Sequence, residues 1–228
     1  MIKDVVLFGA SSEFGLAIAK NLKDKDYKVF GIGRGDHRKE YHNYLKVKDY
    51  LVDEKLILDF LQNLDEPTVI YLNGYLKENR PKYYPSKYEI GKTIEANLVI
   101  PIAITNSLIR RNLKISKFVV ISSIAAIKLR NKNFIYGLTK KTLEKEISQI
   151  SGKYLIIRFG MIKTSMSKTH TEAPFTYSKD KAAELFSKKI HKKGIVYPSL
   201  GLRIIASIIN IVPVRYLDLY EKNKTKDF

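Results

Sequence analysis

Seven short apolar runs rich in β-branched residues alternate with stretches of helical period along this chain, and that alternation limits the folds open to it. Strands are expected at Asp4–Gly9, Tyr27–Gly33, Tyr44–Val47, Thr68–Leu72, Lys117–Ser122, Tyr154–Arg158 and Gly194–Tyr197. Helical stretches fall near Phe14–Lys23, Asp53–Leu64, Tyr88–Asn112, Phe134–Ile150 and Lys179–His191. A near-continuous apolar run suits a strand covered on both faces rather than one. The pattern implies an α/β chain, a doubly wound parallel sheet of about seven strands flanked by helices, in a single domain. A length of 228 residues allows one sizeable core. The longest irregular stretches are 74–87 and 160–178.

Composition removes some function classes. The chain has no cysteine, so disulfides and thiolate metal sites are excluded. His37, His42, His170 and His191 form no metal-ligand spacing, and no metal is expected. The start, Met1-Ile2-Lys3-Asp4, lacks a charged segment followed by a long apolar one, so no signal peptide is expected. No apolar run reaches membrane-spanning length. These features suit a cytoplasmic protein. The net charge of +18 attracts polyanions in general. The lysines are scattered and no nucleic-acid module appears, so nucleic acid is not an expected partner.

Two places carry chemistry. At the first, Val5-Val6-Leu7-Phe8 runs into Gly9-Ala10-Ser11-Ser12-Glu13-Phe14-Gly15. Glycines after a strand let backbone approach a pyrophosphate, whose charge sits at the positive end of the following helix. At the second, Tyr136 and Lys140 stand four apart on one helix face, thirteen residues beyond Ser123. An ammonium beside a phenol favours the phenolate and is expected to lower the Tyr136 pKa. A Ser hydroxyl holds a substrate oxygen against that phenol, which makes an acid/base device for a carbonyl or an alcohol.

Taken with Asn97 inside the long helical stretch, this constellation resembles the short-chain dehydrogenase/reductase family over roughly residues 1–200, with a Rossmann-type fold. The glycine turn Ser11–Ala19 is similar to that of the decaprenylphosphoryl-ribose 2-keto reductase branch. Phe8 and Glu13 depart from the usual family turn, Thr-Gly-x-x-x-Gly-x-Gly. Glu13 is expected to be a first-turn helix carboxylate pointing away from phosphates.

The resemblance implies roles residue by residue. Tyr136 is the general acid in reduction; Lys140 lowers its pKa and holds the nicotinamide ribose. Ser123 binds the substrate oxygen, and Asn97 fixes a helix bend and a water. Ser122 is expected to satisfy backbone groups at its strand end. Cofactor contacts are expected from Gly9, Ser11, Ser12, Phe14, Gly15, Asn73 and Gly74, from Asp49 (or Asp53) at adenine, and from Gly160, Ile162 and Thr164 at nicotinamide. Arg34 ends the second strand where an acidic residue would bind the ribose of NAD. Its guanidinium suits a 2'-phosphate, with Arg38 and Lys39 close behind, so NADP(H) is expected over NAD(H). Phe159 replaces the usual proline before Gly160. Residues 165–178 are expected to form a mobile lid, with His170 near substrate.

Beyond residue 200 the chain carries Leu202–Val212, Pro213 and a mixed-charge tail to residue 228, within the same domain. One reading is a peripheral membrane contact through 202–215, at the inner face of the membrane; the other is a helix packed on the core or across a dimer interface. The expected function is NADPH-dependent reduction of a ketone, on a small or lipid-linked carbonyl substrate such as a keto-sugar. A homodimer or homotetramer is implied by the resemblance. The alternative is a non-catalytic NAD(P)-binding regulatory protein on the same fold.

Overall fold

The computed structural model describes residues 3–36, 39–78, 84–150, 152–168 and 173–225, with side chains to residue 220. Seven strands form one parallel sheet: β1 (Asp4–Phe8), β2 (Lys28–Gly33), β3 (Asn43–Lys46), β4 (Thr68–Tyr71), β5 (Lys117–Ser123), β6 (Tyr154–Phe159) and, last in the sheet, β9 (Gly194–Val196). Their order is β3-β2-β1-β4-β5-β6-β9, with every neighbouring pair parallel. Two further strands, β7 (Ile162–Lys163) and β8 (Tyr177–Ser178), pair with each other outside it. The helices are α1 (Glu13–Lys23), α2 (Glu54–Gln62), α3 (Lys87–Ile94), α4 (Ile100–Arg110), α5 (Phe134–Ile150), α6 (Lys179–Ser187), α7 (Leu200–Ile211) and α8 (Val214–Thr225).

The sheet is buried on both faces, which explains why its strands lack polar alternation. In β1, Val5 and Leu7 join the core under α1 and α6, whereas Val6 and Phe8 join the core under α2, α4 and α5. Successive strand side chains point to opposite faces, so both must be apolar. The strand order reverses between β1 and β4, and the crevice beyond their carboxyl ends is where ligands of such sheets bind. The chain places the glycine turn, Asn73 and Ser123 at those ends.

Helix starts follow side-chain capping. Ser12 Oγ accepts from Gly15 N at 3.0 Å, and Ser86 with Glu89 forms a reciprocal capping box. The stretch expected as one helix over Tyr88–Asn112 is interrupted. A π-helical turn, Glu95–Val99, separates α3 from α4. Pro101 has no N–H to offer the carbonyl four residues back, and Ile100 N reaches Glu95 O instead. Such single wide turns gather at functional sites, and Asn97 sits on this one.

Candidate active site

β5 delivers Ser123 at its carboxyl end, and α5 delivers Tyr136 in its first turn. Gly137 lets them meet: a Cβ there would lie 2.7 Å from Ala125 O, so only glycine allows α5 this close to the turn after β5. The Ser123 hydroxyl lies beside the Tyr136 phenol, close enough to lower its pKa, and accepts from Ala125 N at 3.2 Å. Lys140 lies one turn on, 5 % exposed. Its Nζ donates to Ile121 O at 3.1 Å and stands 5.9 Å from the centre of the Tyr136 ring.

The electrostatics differ from expectation at Tyr136. Burial pushes its phenol up to about 12, opposed only by the nearby Ser123 hydroxyl. Lys140 turns its ammonium to Ile121 O, and burial holds it down at about 8 against the upward pull of Glu144. The expected lowering of Tyr136 by Lys140 is therefore corrected: desolvation dominates, Lys140 does not offset it, and the phenol stays protonated through the neutral range.

Behind Lys140 stands a polar network that sequence reading missed. Glu144 is buried and accepts from Arg158 Nη2 at 2.6 Å and Nε at 2.9 Å. Ser122 Oγ donates to Glu144 Oε1 at 2.5 Å, and Arg158 Nη1 donates to Tyr197 Oη at 3.0 Å. Ser122 thus serves a carboxylate rather than the backbone groups expected. The signal available in the sequence was the four-residue step from Lys140 to Glu144, which puts both on one face of α5.

Asn97 is fully buried and binds the loop after β4. Its Oδ1 accepts from Tyr75 N at 3.1 Å, and its Nδ2 donates to Tyr75 O at 2.8 Å. Gly74 passes so close that a Cβ would meet Asn97 Oδ1 at 3.3 Å. The expected bend at Asn97 is the π turn, and the side chain secures the loop facing it.

The glycine turn is held by tyrosines. Gly9 has φ +79° and donates to Ile32 O and to Tyr50 Oη, each at 3.1 Å. Tyr41 Oη donates to Ala10 O at 2.7 Å. Ser11 packs under Gly33 and Gly35. Ser12 spends its hydroxyl as the cap of α1 and its backbone N–H on Gly9 O, and Phe14 sends its ring into the core against Phe159. Glu13 turns away from the turn: Oε1 accepts from Ser165 N at 2.8 Å, and Lys179 Nζ lies 3.5 Å from Oε2.

At the adenosine end, Arg34 is exposed and has no hydrogen-bond or ion-pair partner among the described residues. Asp49 Oδ1 accepts from Leu51 N and Val52 N, and Asp53 Oδ2 accepts from Lys48 N and Asp49 N. Those carboxylate oxygens shape their own turn. Asn73 packs its backbone against Gly9, and its Oδ1 is buried without a hydrogen-bond partner. An orphaned acceptor in a crevice beside a glycine turn and an unpaired guanidinium fits a phosphorylated nucleotide cofactor. His37, Arg38 and His170 lie outside the described residues.

At the other end, Gly160, Ile162 and Thr164 follow β6. Ile162 O accepts from Ser167 Oγ at 2.8 Å and Thr164 N donates to the same hydroxyl at 3.0 Å. Parts of the expected lid have regular structure. Residues Ser165–Ser167 form a 3-10 turn, and Tyr177–Ser178 pairs in parallel with Ile162–Lys163. Two-residue strands show no period in sequence, and the Glu13 contact holding the turn comes from the far end of the chain. Among the described residues no cluster of His, Cys, Asp and Glu is placed to hold a metal ion.

No protein-family model matches the sequence. Solved structures share the fold. A short-chain dehydrogenase from Streptomyces avermitilis superposes with TM-score 0.68 at 18% identity, covering 98% of this chain and 95% of its own. A short-chain dehydrogenase from Burkholderia cenocepacia in complex with NADP gives 0.70 at 12% identity, covering 93% and 100%. A 4-hydroxyisoleucine dehydrogenase complexed with NADH gives 0.63 at 17% identity, covering 86% and 98%. The chain has the Rossmann-type fold of short-chain dehydrogenase/reductase structures along nearly its whole length.

Proposed function

We propose that this chain is a short-chain dehydrogenase/reductase that reduces a ketone to a secondary alcohol with NADPH. The observation that carries the reading is the Ser123 hydroxyl beside the Tyr136 phenol, with the buried Lys140 ammonium one turn behind. Ser123 stands at the carboxyl end of β5, with Tyr136 and Lys140 on α5 beside it, and the family resemblance gives these residues and Asn97 their roles. Bound NADPH supplies the hydride.

The chain's own residues do the rest. Ser123 holds the carbonyl oxygen beside the Tyr136 phenol. Tyr136, protonated at neutral pH, gives its proton to that oxygen as negative charge develops there. The Lys140 cation stabilises the phenolate left behind. Asn97 keeps the Tyr75 loop in place along the pocket. Arg34 meets the 2'-phosphate with a planar, always charged group, and Asn73 Oδ1 accepts a ribose hydroxyl. Gly160, Ile162 and Thr164 border the nicotinamide. A keto-sugar, free or lipid-linked, is the substrate class suggested by the likeness of the glycine turn. Exposed Ile94, Val99, Ile109, Phe134 and Leu138 on the Asn97 and Tyr136 helices support pairing of subunits there. Glu13 and Phe159, the residues that favour a non-catalytic protein, have other work: one binds Ser165, the other fills the core.

The test follows NADPH oxidation against a panel of keto-sugars and simpler ketones. Tyr136→Phe is expected to lose turnover by roughly a thousandfold while still binding NADPH. A variant as active as the parent would contradict the mechanism.

A further inference from the structure

α7 and α8 present an apolar surface that the rest of the fold leaves uncovered. α7 packs Leu202 and Ala206 inward. On its outer face Leu200, Ile204, Ile208 and Ile211 are 71, 54, 53 and 80 % exposed, at steps of four, four and three residues. That spacing is one helix stripe, on the side where a surface helix ordinarily carries charge. The patch continues into α8 through exposed Val214, Tyr216, Leu219 and Tyr220. Among the described residues no single helix is long and apolar enough to cross a membrane, and α7 and α8 are bent by 116° at the break between them.

The pair is fastened to the catalytic loops. Lys128, between Ser123 and Tyr136, donates from Nζ to Asn210 O and Val212 O, each at 2.7 Å, and so caps α7. Asn131 N donates to Asp218 Oδ1 on α8 at 3.1 Å. At the other end, Gly201 abuts the Phe175 ring, whose backbone lies against Gly160. The uncovered surface therefore borders the site rather than a remote edge.

Charge selects the occupant. Arg203 and Arg215 are exposed on α7 and α8, and the sequence continues through Lys222, Lys224 and Lys226. Nearby, Asp218 Oδ1 is already engaged by Asn131 N. A second copy meeting this face would bring arginines towards arginines on a chain of net charge +18. An anionic lipid surface satisfies both features: isoleucines enter the headgroup boundary, tyrosines sit at its level, and cations face lipid phosphates. We propose that α7–α8 is an interfacial anchor that docks the active-site side of this protein on an anionic bilayer. The anchor does not rest on the proposed reaction.

The experiment is co-flotation of the full chain with phosphatidylcholine vesicles, with and without phosphatidylglycerol, alongside light scattering. Binding to the anionic vesicles, weakened by salt, is expected. Combined Ile204→Ser, Ile208→Ser and Ile211→Ser is expected to weaken it by about 100-fold, with thermal unfolding unchanged, since each exposed side chain contributes about 1 kcal/mol on burial. Arg203→Glu with Arg215→Glu, which leaves the isoleucines in place, is expected to remove the preference for phosphatidylglycerol. Absence of vesicle binding by the parent chain would overturn the proposal. So would unchanged binding by the serine variant, or a dimer that this variant dissolves.

Discussion

Glu13 Oε1 accepts the backbone N–H of Ser165 at 2.8 Å, joining the first turn of α1 to the loop after β6 across 152 residues of sequence. The contact holds the Glu13 pKa below its usual value of 4.5, chiefly through that backbone bond, so the carboxylate is ionised at neutral pH. A residue that looks out of place beside a phosphate turn thus ties the two ends of the proposed cofactor crevice together.

Removing that tie has a definite consequence. Glu13→Ala is expected to speed hydrogen exchange at the Ser165 amide and to weaken NADPH binding several-fold, read by nicotinamide fluorescence. Tighter binding in the variant would mean that Glu13 acts on the phosphates by repulsion instead.

Lys140 is costly to the fold. An ammonium held at about 8 rather than 10.5 destabilises the native state by about 3 kcal/mol at neutral pH. Its folded pKa lies below the unfolded one, so the cost is fully present below pH 8 and fades as pH rises towards 10.5. Lys140→Met is expected to abolish turnover yet raise thermal stability at pH 7, less about 1 kcal/mol for the lost bond to Ile121 O. The advantage should shrink between pH 8 and 10 in melting experiments, below the range where Tyr136 ionises.

Most of the architecture was legible because it rests on patterns that repeat. All seven strands of the sheet were readable as apolar runs, and α5 matches its expected span, since burial on both faces and helical period write themselves into many residues at once. What was not legible depends on single residues or distant partners. A bend was expected at Asn97, but not its form as a π turn just before Pro101. α8 begins straight after Pro213, in a tail whose mixed charge shows little amphipathic period. The same division holds in the site. Ser123, Tyr136 and Lys140 were found by spacing, and the structure brings them together. Tyr41 and Tyr50, which grip the glycine turn, and Arg158 and Ser122, which bind Glu144, act through contacts with no fixed sequence offset.

Glu144 gives a separable prediction. Its charge is what raises Lys140 against desolvation, so Glu144→Gln is expected to lower the Lys140 pKa further below 8. The limb of the pH–rate profile that reports Lys140 should then move to lower pH. Glu144→Leu, which strips Arg158 of its partner, should cost about 3 kcal/mol of stability as well. An unmoved limb in the glutamine variant would separate Lys140 from the pH dependence.

The proposed reaction requires nucleotide binding. The measurement is a fluorescence titration of the purified chain with NADPH and with NADH, repeated on Arg34→Asp. The account predicts saturable binding that prefers NADPH, with the preference lost in the variant as the guanidinium opposite the 2'-phosphate is removed. Failure to bind either nucleotide would contradict it.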